Sequence, residues 1–315
     1  MLRMRRVVCR EFGPLANLVV EDGPPLEPKD GHALIDVKAA GVNFVDALFV
    51  QGRYQIKPQT PFTPGGEVAG VTQDGRRVIA SCGLGAFAEQ IVFPEFGLYD
   101  LPDNLSFGVG ATVIQSYATG VFAFEHRTTI KEGEWVLVLG AGGGVGRAAI
   151  DIAVAKGARV IGVASSDEKR QIAKDAGAEA TIDPADDIKT RAREISDGGV
   201  DVVYDPVGGA LAEPALRALK FMGRYVVIGF AAGEIPRLPA NQVLLNNRTV
   251  VGVDWGAWTM RNSLGNRALV ETILERCAQG TYHPIEPASY PLEDAAKVLH
   301  DLETRQVAGK VVLVP

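Results

Sequence analysis

Cysteine is scarce in this chain: Cys9, Cys82 and Cys277 stand far apart in 315 residues and are odd in number. That set fits a reducing compartment, with each thiol a small core residue, better than a disulfide framework. Histidine is nearly as rare. His32, His126, His283 and His300 have no metal-ligand spacing, and no C-x-x-C-x-x-C lobe occurs, so no metal is expected from the pattern. No apolar run approaches the roughly 18 residues that a membrane span needs. The opening MLRMRRVVCREFGP is basic but too poor in apolar residues for a signal segment. A cytoplasmic protein without membrane contact is the expectation. A cationic face is missing as well: the net charge is −6, with both signs mixed along the chain, which leaves little to release counterions from nucleic acid. Internal repeats and low-complexity tracts are absent.

What remains is ordinary globular composition, 47% hydrophobic and 22% charged, in a chain longer than one core usually organises. Two domains are expected. The first ~115 residues hold short alternating runs broken by Gly and Pro. In 34-LIDVKAA-40, Ile35, Val37 and Ala39 share one face and Asp36 and Lys38 the other, as in a half-buried strand. Further strands are expected around Val78–Ala80 and Phe87–Val92. From Trp135 the pattern changes to apolar runs alternating with helical segments: 135-WVLVL-139, 159-RVIGV-163, 180-ATI-182, 201-DVVYD-205, 224-RYVVIG-229 and 249-TVVGV-253. Six such runs make one doubly wound parallel sheet of the dinucleotide-binding kind, an α/β fold. Beyond Val253 come a helix from Asn266 to Gln279, another from Leu292 to Thr304, and a strand in 310-KVVLVP-315. These are expected to return to the first domain, giving 1–118 plus 257–315 as one domain and 119–256 as the other.

Between the first run and a helix from Val145 to Lys156 lies 140-GAGGGVG-146. Gly142, Gly143 and Gly144, with Val145 opening the helix, would let the backbone approach a pyrophosphate at the helix N-terminus, where amides and the helix dipole favour an anion. A structural glycine turn is the alternative. At the end of the second run an NAD site usually carries Asp or Glu for the ribose hydroxyls, whereas this chain has Ala164. Ser165, Ser166, Lys169 and Arg170 supply hydroxyls and cations that suit a 2′-phosphate instead. The bland alternative makes Ser166 a helix N-cap and Lys169 and Arg170 a solvated first turn. NADPH is thus expected over NADH.

The stretches 39-AAGVNFVDAL-48, 64-PGGEVAG-70, 140-GAGGGVG-146, 201-DVVYDPVGG-209, 223-GRYVVIGFAAG-233 and 309-GKVVLVP-315 together resemble the zinc-independent quinone oxidoreductase branch of the medium-chain dehydrogenase/reductase superfamily, which includes zeta-crystallin. The resemblance implies a GroES-like catalytic domain beside a Rossmann cofactor domain. In zinc-dependent members, ligands stand where this chain has Asn43, Gly66 and Gln115, which implies that no metal is bound. It also implies that Asn43 and Tyr54 line the substrate pocket, with a turn amide and a half-buried core phenol as their plain alternatives. Thr119 would lie over the nicotinamide ribose and carboxamide. Gly229 and Phe230 would lie beside the dinucleotide at the carboxyl end of the sheet, and Arg305 would reach the 2′-phosphate. Two positions depart from relatives: Leu48, where a tyrosine is frequent, and Pro184, where some NADPH-binding relatives have tyrosine.

Without a Lewis acid to polarise a simple carbonyl, the acceptor must itself be electron-poor. The expected reaction is hydride transfer from NADPH, bound between the domains, to a quinone or a related conjugated carbonyl. An enoyl reductase acting on an enone or enoyl thioester is the enzymatic alternative. A crystallin-like dinucleotide-binding structural or RNA-associated protein is the other, against which the charge balance argues. A homodimer is expected, because the sixth run would be an exposed sheet edge.

Overall fold

Residues 3–315 are described by a computed structural model; Met1 and Leu2, at the head of the basic opening stretch, lie outside them. Seven strands come first: β1 (Met4–Val8), β2 (Val19–Gly23), β3 (His32–Val42), β4 (Glu67–Thr72), β5 (Arg77–Ser81), β6 (Gln90–Pro94) and β7 (Tyr99–Asp100). Six follow: β8 (Trp135–Leu139), β9 (Arg159–Val163), β10 (Ala180–Ile182), β11 (Val200–Asp205), β12 (Leu219–Val227) and β13 (Thr249–Gly252). Two close the chain, β14 (Ala288–Pro291) and β15 (Val311–Val314). The chain divides into two compact units, one formed by residues 1–115 and 284–315 and the other by 116–283.

The first unit is built on a seven-stranded sheet of order β14-β15-β3-β4-β5-β7, with β6 paired to β3, and a separate β1-β2 pair. β3 is its spine. It runs antiparallel to β4, β6 and β15, and its alternation is the one read in the sequence: Ile35, Val37 and Ala39 are buried while Asp36 and Lys38 are exposed. The strand expected over Phe87–Val92 begins only at Gln90, because Phe87 turns into the core and Ala88 makes an isolated bridge to Arg6. At the end of β3 the chain enters helix α1 (Phe44–Val50) with Asn43 as its N-cap.

The second unit holds a six-stranded sheet of order β10-β9-β8-β11-β12-β13, all of its pairs parallel. This is the 3-2-1-4-5-6 order of a doubly wound dinucleotide fold. All five residues of β8 are buried, as a central strand covered by helices on both faces requires. Each such side chain contributes about 1.5–3 kcal/mol by leaving water. The strand order reverses between β8 and β11, and crevices at such reversals bind ligands.

Helix α2 (Phe107–Val121) crosses the division between the units and continues as a π-helical turn over Phe122–Arg127. Residues 107–127 are long and apolar enough to cross a membrane by length and composition, yet 83% of the most apolar window is buried inside the protein. Thr112, Gln115, Ser116 and Thr119 break the apolar run in sequence, which is why no span was expected there.

The division departs from the expected boundaries at both crossings. Residues 116–118 and 257–283 belong to the second unit, so the helix expected at Asn266–Gln279, observed as Ser263–Ala278, does not return to the first. A helix can join a unit without bringing a new strand. This one buries Leu269, Val270, Ile273, Leu274 and Cys277, and its Arg276 pairs with Glu125 and donates to the Tyr282 hydroxyl. The chain leaves the unit only after His283, whose backbone N–H donates to the buried Asp151 carboxylate at 2.7 Å. Asp151 also accepts from the Tyr117 hydroxyl at 2.6 Å.

Candidate functional site

Four loops converge at the carboxyl end of the parallel sheet. The turn after β8 leads through Gly143, the N-cap, into helix α3 (Gly144–Ala155), and among the described residues no side chain caps it. The first-turn amides of a helix have no partner within it, so Gly144, Val145 and Gly146 present donors where an anion is favoured. Close approach explains two of the glycines. A Cβ on Gly146 would lie 2.3 Å from the carbonyl oxygen of Gly140, and one on Gly142 would lie 2.5 Å from the Cβ of Lys169. The first contact seats α3 on its strand. The second brings helix α4 (Asp167–Asp175), which follows β9, directly onto the loop.

Ala164, at the end of β9, is buried and carries no acid toward the loop. Ser165 is exposed. Ser166 is the N-cap of α4, its hydroxyl accepting from the Lys169 backbone N–H at 3.2 Å, so the bland alternative holds for this residue. Lys169 is half-buried beside Gly142. Arg170 is not a solvated first-turn side chain. Its guanidinium donates to the Ala164 carbonyl at 2.9 Å, to Asp183 at 2.6 Å and to Asp167 at 2.6 Å. Those pairs hold it more firmly in its charged form and tie it to the strand end.

On the other side of the reversal, buried Asp205 organises the turn after β11. One of its oxygens accepts the backbone N–H groups of Val207 and Gly208, each at 2.8 Å, and the other accepts from the Tyr225 hydroxyl. Its backbone carbonyl receives the N–H groups of Ile228 and Gly229, at 2.9 and 3.3 Å. Gly229 and Phe230 are thereby set at the crest, Phe230 39% exposed and packed near Gly208. Asp205 lies within 201-DVVYDPVGG-209, and the sequence reading assigns it no role. Its signal was the aspartate ending a strand before Pro-Val-Gly-Gly, a turn chemistry that could have been read. Thr119 is half-buried in α2 within the same unit.

The remaining expected residues belong to the first unit. Arg305 is exposed, just beyond the C-cap of the helix Ala295–Glu303, with φ of 62°. Tyr54 lies in the loop after α1, half-buried, its ring 4.7 Å from that of Phe49. Asn43 is buried at the centre of a polar cluster. Its backbone N–H donates to Asp46 at 2.7 Å, its Nδ2 donates to Glu67 Oε2 at 2.8 Å, and its Oδ1 accepts from Lys310 Nζ at 2.6 Å. Glu67 Oε1 accepts the backbone N–H of Gln115 at 2.7 Å, and Lys310 Nζ stands 3.9 Å from Oε2. Burial pushes the Asp46 carboxyl up to about 7 against the pull of the Asn43 N–H and Lys310, with Glu67 adding to the rise. Burial likewise lowers Lys310 and raises the Cys82 thiol. Glu67 and Lys310 escaped the sequence reading because they stand 243 positions apart in the chain, and the pairing of β15 and β4 with β3 brings them together.

Two family models match the chain: the alcohol dehydrogenase GroES-like domain over residues 29–103 and the zinc-binding dehydrogenase family over residues 144–271. The quinone oxidoreductase-like protein 2 of Bos taurus is 35% identical over 98% of this chain and 92% of its own length. The quinone oxidoreductase of Homo sapiens is 31% identical over 99% and 98%. Among solved structures, the Escherichia coli quinone oxidoreductase complexed with NADPH superposes with a TM-score of 0.89 at 27% identity, covering 99% of this chain and 100% of that one. The Thermus thermophilus quinone oxidoreductase, solved alone and with NADPH, gives 0.85 at 31% identity with coverage of 99% and 100%. On this sequence likeness, and on an architecture of one GroES-like and one Rossmann-type sheet, the chain belongs to the zinc-independent quinone oxidoreductase branch of the medium-chain dehydrogenase/reductase superfamily, a family of oxidoreductases.

Proposed function

We propose that this protein is an NADPH-dependent, metal-independent reductase of quinones or related electron-poor conjugated carbonyls. One observation carries the cofactor choice: Lys169 packs against Gly142 of an uncapped glycine loop, while the neighbouring strand end offers Ala164 and no acid. The chain fits the group. Gly142, Gly143, Gly144 and Val145 would hold the pyrophosphate. Ser165 and Lys169 would hold the 2′-phosphate, while Thr119, Gly229 and Phe230 would flank the rest of the dinucleotide. Two relatives solved with NADPH support this choice.

Bound NADPH supplies the hydride, and one solvent proton completes the reduction of a quinone to a hydroquinone. The residues of the chain bind, orient and exclude water. Asn43 donates a hydrogen bond to the acceptor oxygen, and Tyr54 orients the acceptor from the loop beyond α1. The positions of the zinc ligands in metal-dependent members are occupied by Asn43, Gly66 and Gln115. With no metal to polarise a carbonyl, the acceptor must be intrinsically electron-poor. NADPH oxidation with 1,4-benzoquinone, 9,10-phenanthrenequinone, an enone and an enoyl thioester tests the reading. Turnover of the quinones above the other two is expected; turnover of the enone or thioester alone would assign an enoyl reductase.

The working form we propose is a homodimer. Among the described residues β13 is an edge strand paired only with β12, and three of its four residues are exposed. Val250 on it and Leu244 and Leu245 just before it are 43%, 75% and 72% exposed. Such an edge is protected when a second copy covers it across a two-fold axis.

A further inference from the structure

The polar cluster around Asn43 contains a buried cation that the proposed function leaves without a task. Lys310 enters at the start of β15, its side chain 13% exposed, and its ammonium donates to Asn43 Oδ1 at 2.6 Å. On the opposite side of the same amide, Nδ2 donates to Glu67, whose side chain is 1% exposed. Burying two charges is costly unless each is paired and hydrogen-bonded, and a helix N-cap needs neither of them. The Asn43 backbone N–H is already taken by Asp46.

We propose that Lys310 is a positioning residue for the acceptor site: its ammonium locks the Asn43 amide in a single orientation and polarises it as a hydrogen-bond donor to the acceptor's carbonyl oxygen. This rests on the reading of Asn43 as a substrate-binding residue.

The two orientations of an asparagine amide differ by a half-turn that exchanges oxygen and NH2. Here the exchange would turn the NH2 toward an ammonium and the oxygen toward a carboxylate, two repulsions in place of two charge-assisted bonds. The orientation is therefore decided by Lys310 and Glu67 together. Nδ2 carries two N–H groups and Glu67 takes one. Among the described residues no hydrogen bond engages the second. A cation at Oδ1 draws electron density through the amide and strengthens the donor at Nδ2, as hydrogen-bonded chains do when they polarise one another. Lys310 thus supplies, through one neutral side chain, part of the electrophilic assistance that a metal gives when it polarises a carbonyl. Asp46 and Cys82 also face the cluster: the Asp46 carboxyl takes the Asn43 backbone N–H, and the Asp46 backbone N–H meets the Asn43 side chain in the capping box of α1, which favours the same orientation of the amide.

The test is a cycle of Lys310→Met, Asn43→Ala and the combined variant, assayed with NADPH and 9,10-phenanthrenequinone. NADPH dissociation constants from nicotinamide fluorescence and unfolding midpoints are read beside the kinetics. Lys310→Met should lower kcat with the quinone at least about tenfold, the effect of losing roughly one charge-assisted hydrogen bond. The NADPH dissociation constant should stay within about threefold. In the Asn43→Ala background the same change should cost less than about threefold, because Lys310 acts through that amide. If Lys310→Met does not fold, Lys310→Met combined with Glu67→Gln removes both buried charges and is held to the same criteria. Full activity of a folded Lys310→Met beside an impaired Asn43→Ala overturns the role of Lys310 alone, as do equal losses in both backgrounds. An Asn43→Ala variant with unchanged kinetics overturns the reading of Asn43 on which the proposal rests.

Discussion

Arg170 donates to Asp183 at 2.6 Å while its neighbour Lys169 lies against Gly142 of the glycine loop after β8. Two adjacent cations on one helical turn therefore have different work, and they should respond differently to removal. Lys169→Ala should raise the Michaelis constant for NADPH about ten- to a hundredfold, the value of one charge-assisted bond to a phosphate, and leave NADH nearly unaffected. Arg170→Ala should act mainly on stability, because it unties the end of β9 from Asp183. Steady-state kinetics with both cofactors decide the matter. A preference of the unmodified protein for NADH, or equal damage to both cofactors by Lys169→Ala, would sink this assignment.

Gly142→Ala places a Cβ at a contact of 2.5 Å with Lys169. Either the loop or α4 must give way, an overpacking strain of roughly 1–3 kcal/mol. NADPH affinity should fall at least about tenfold while the circular dichroism spectrum is retained. Unchanged affinity in a titration of NADPH fluorescence would show that the loop does not meet the cofactor.

Asp46 introduces a pH dependence whose sign follows from its burial. Its carboxyl sits at about 7 in the folded protein against an ordinary value of 3.8. The folded state therefore holds this proton more tightly than the unfolded chain. Its contribution is fully present below pH ~4 and is lost as pH rises through ~7. Asp46→Asn keeps an oxygen for the Asn43 N–H but cannot ionise. Relative to the unmodified protein, it should gain roughly 2–4 kcal/mol between pH 4 and 8. Urea midpoints of both proteins across that range measure the difference; a constant difference would show that Asp46 does not titrate there.

Elemental analysis of protein purified without chelators should find no stoichiometric zinc, since Asn43, Gly66 and Gln115 stand at the ligand positions. About one zinc per chain would refute the metal-independent mechanism.

Sedimentation at micromolar concentration should show a dimer, and Val250→Lys, which puts a charge on the exposed edge of β13, should shift it toward monomer. A monomeric unmodified protein would remove the two-fold edge contact from the proposal.

Local pattern alone carried much of this molecule. The six apolar runs after Trp135 became the six strands of one parallel sheet, because strands buried on both faces must be continuously apolar whatever surrounds them. The alternation of Ile35, Val37 and Ala39 likewise declared its buried face, since successive side chains of a strand point to opposite sides. The glycine loop and Ala164 were legible for the same reason: turn geometry and the end of a strand are properties of a few consecutive residues.

Tertiary structure decided whatever depends on residues distant in the chain. The sequence pointed to a helix from Asn266 to Gln279, observed as Ser263–Ala278, but not to which core would bury Ile273 and Leu274. Nothing beside Arg170 in the sequence revealed that Asp183 would claim it. The setting of Asn43 was the least legible of all. Its hydrogen-bond partners Glu67 and Lys310 arrive on two strands flanking β3, and a buried charge is tolerated only where the fold delivers its counterpart.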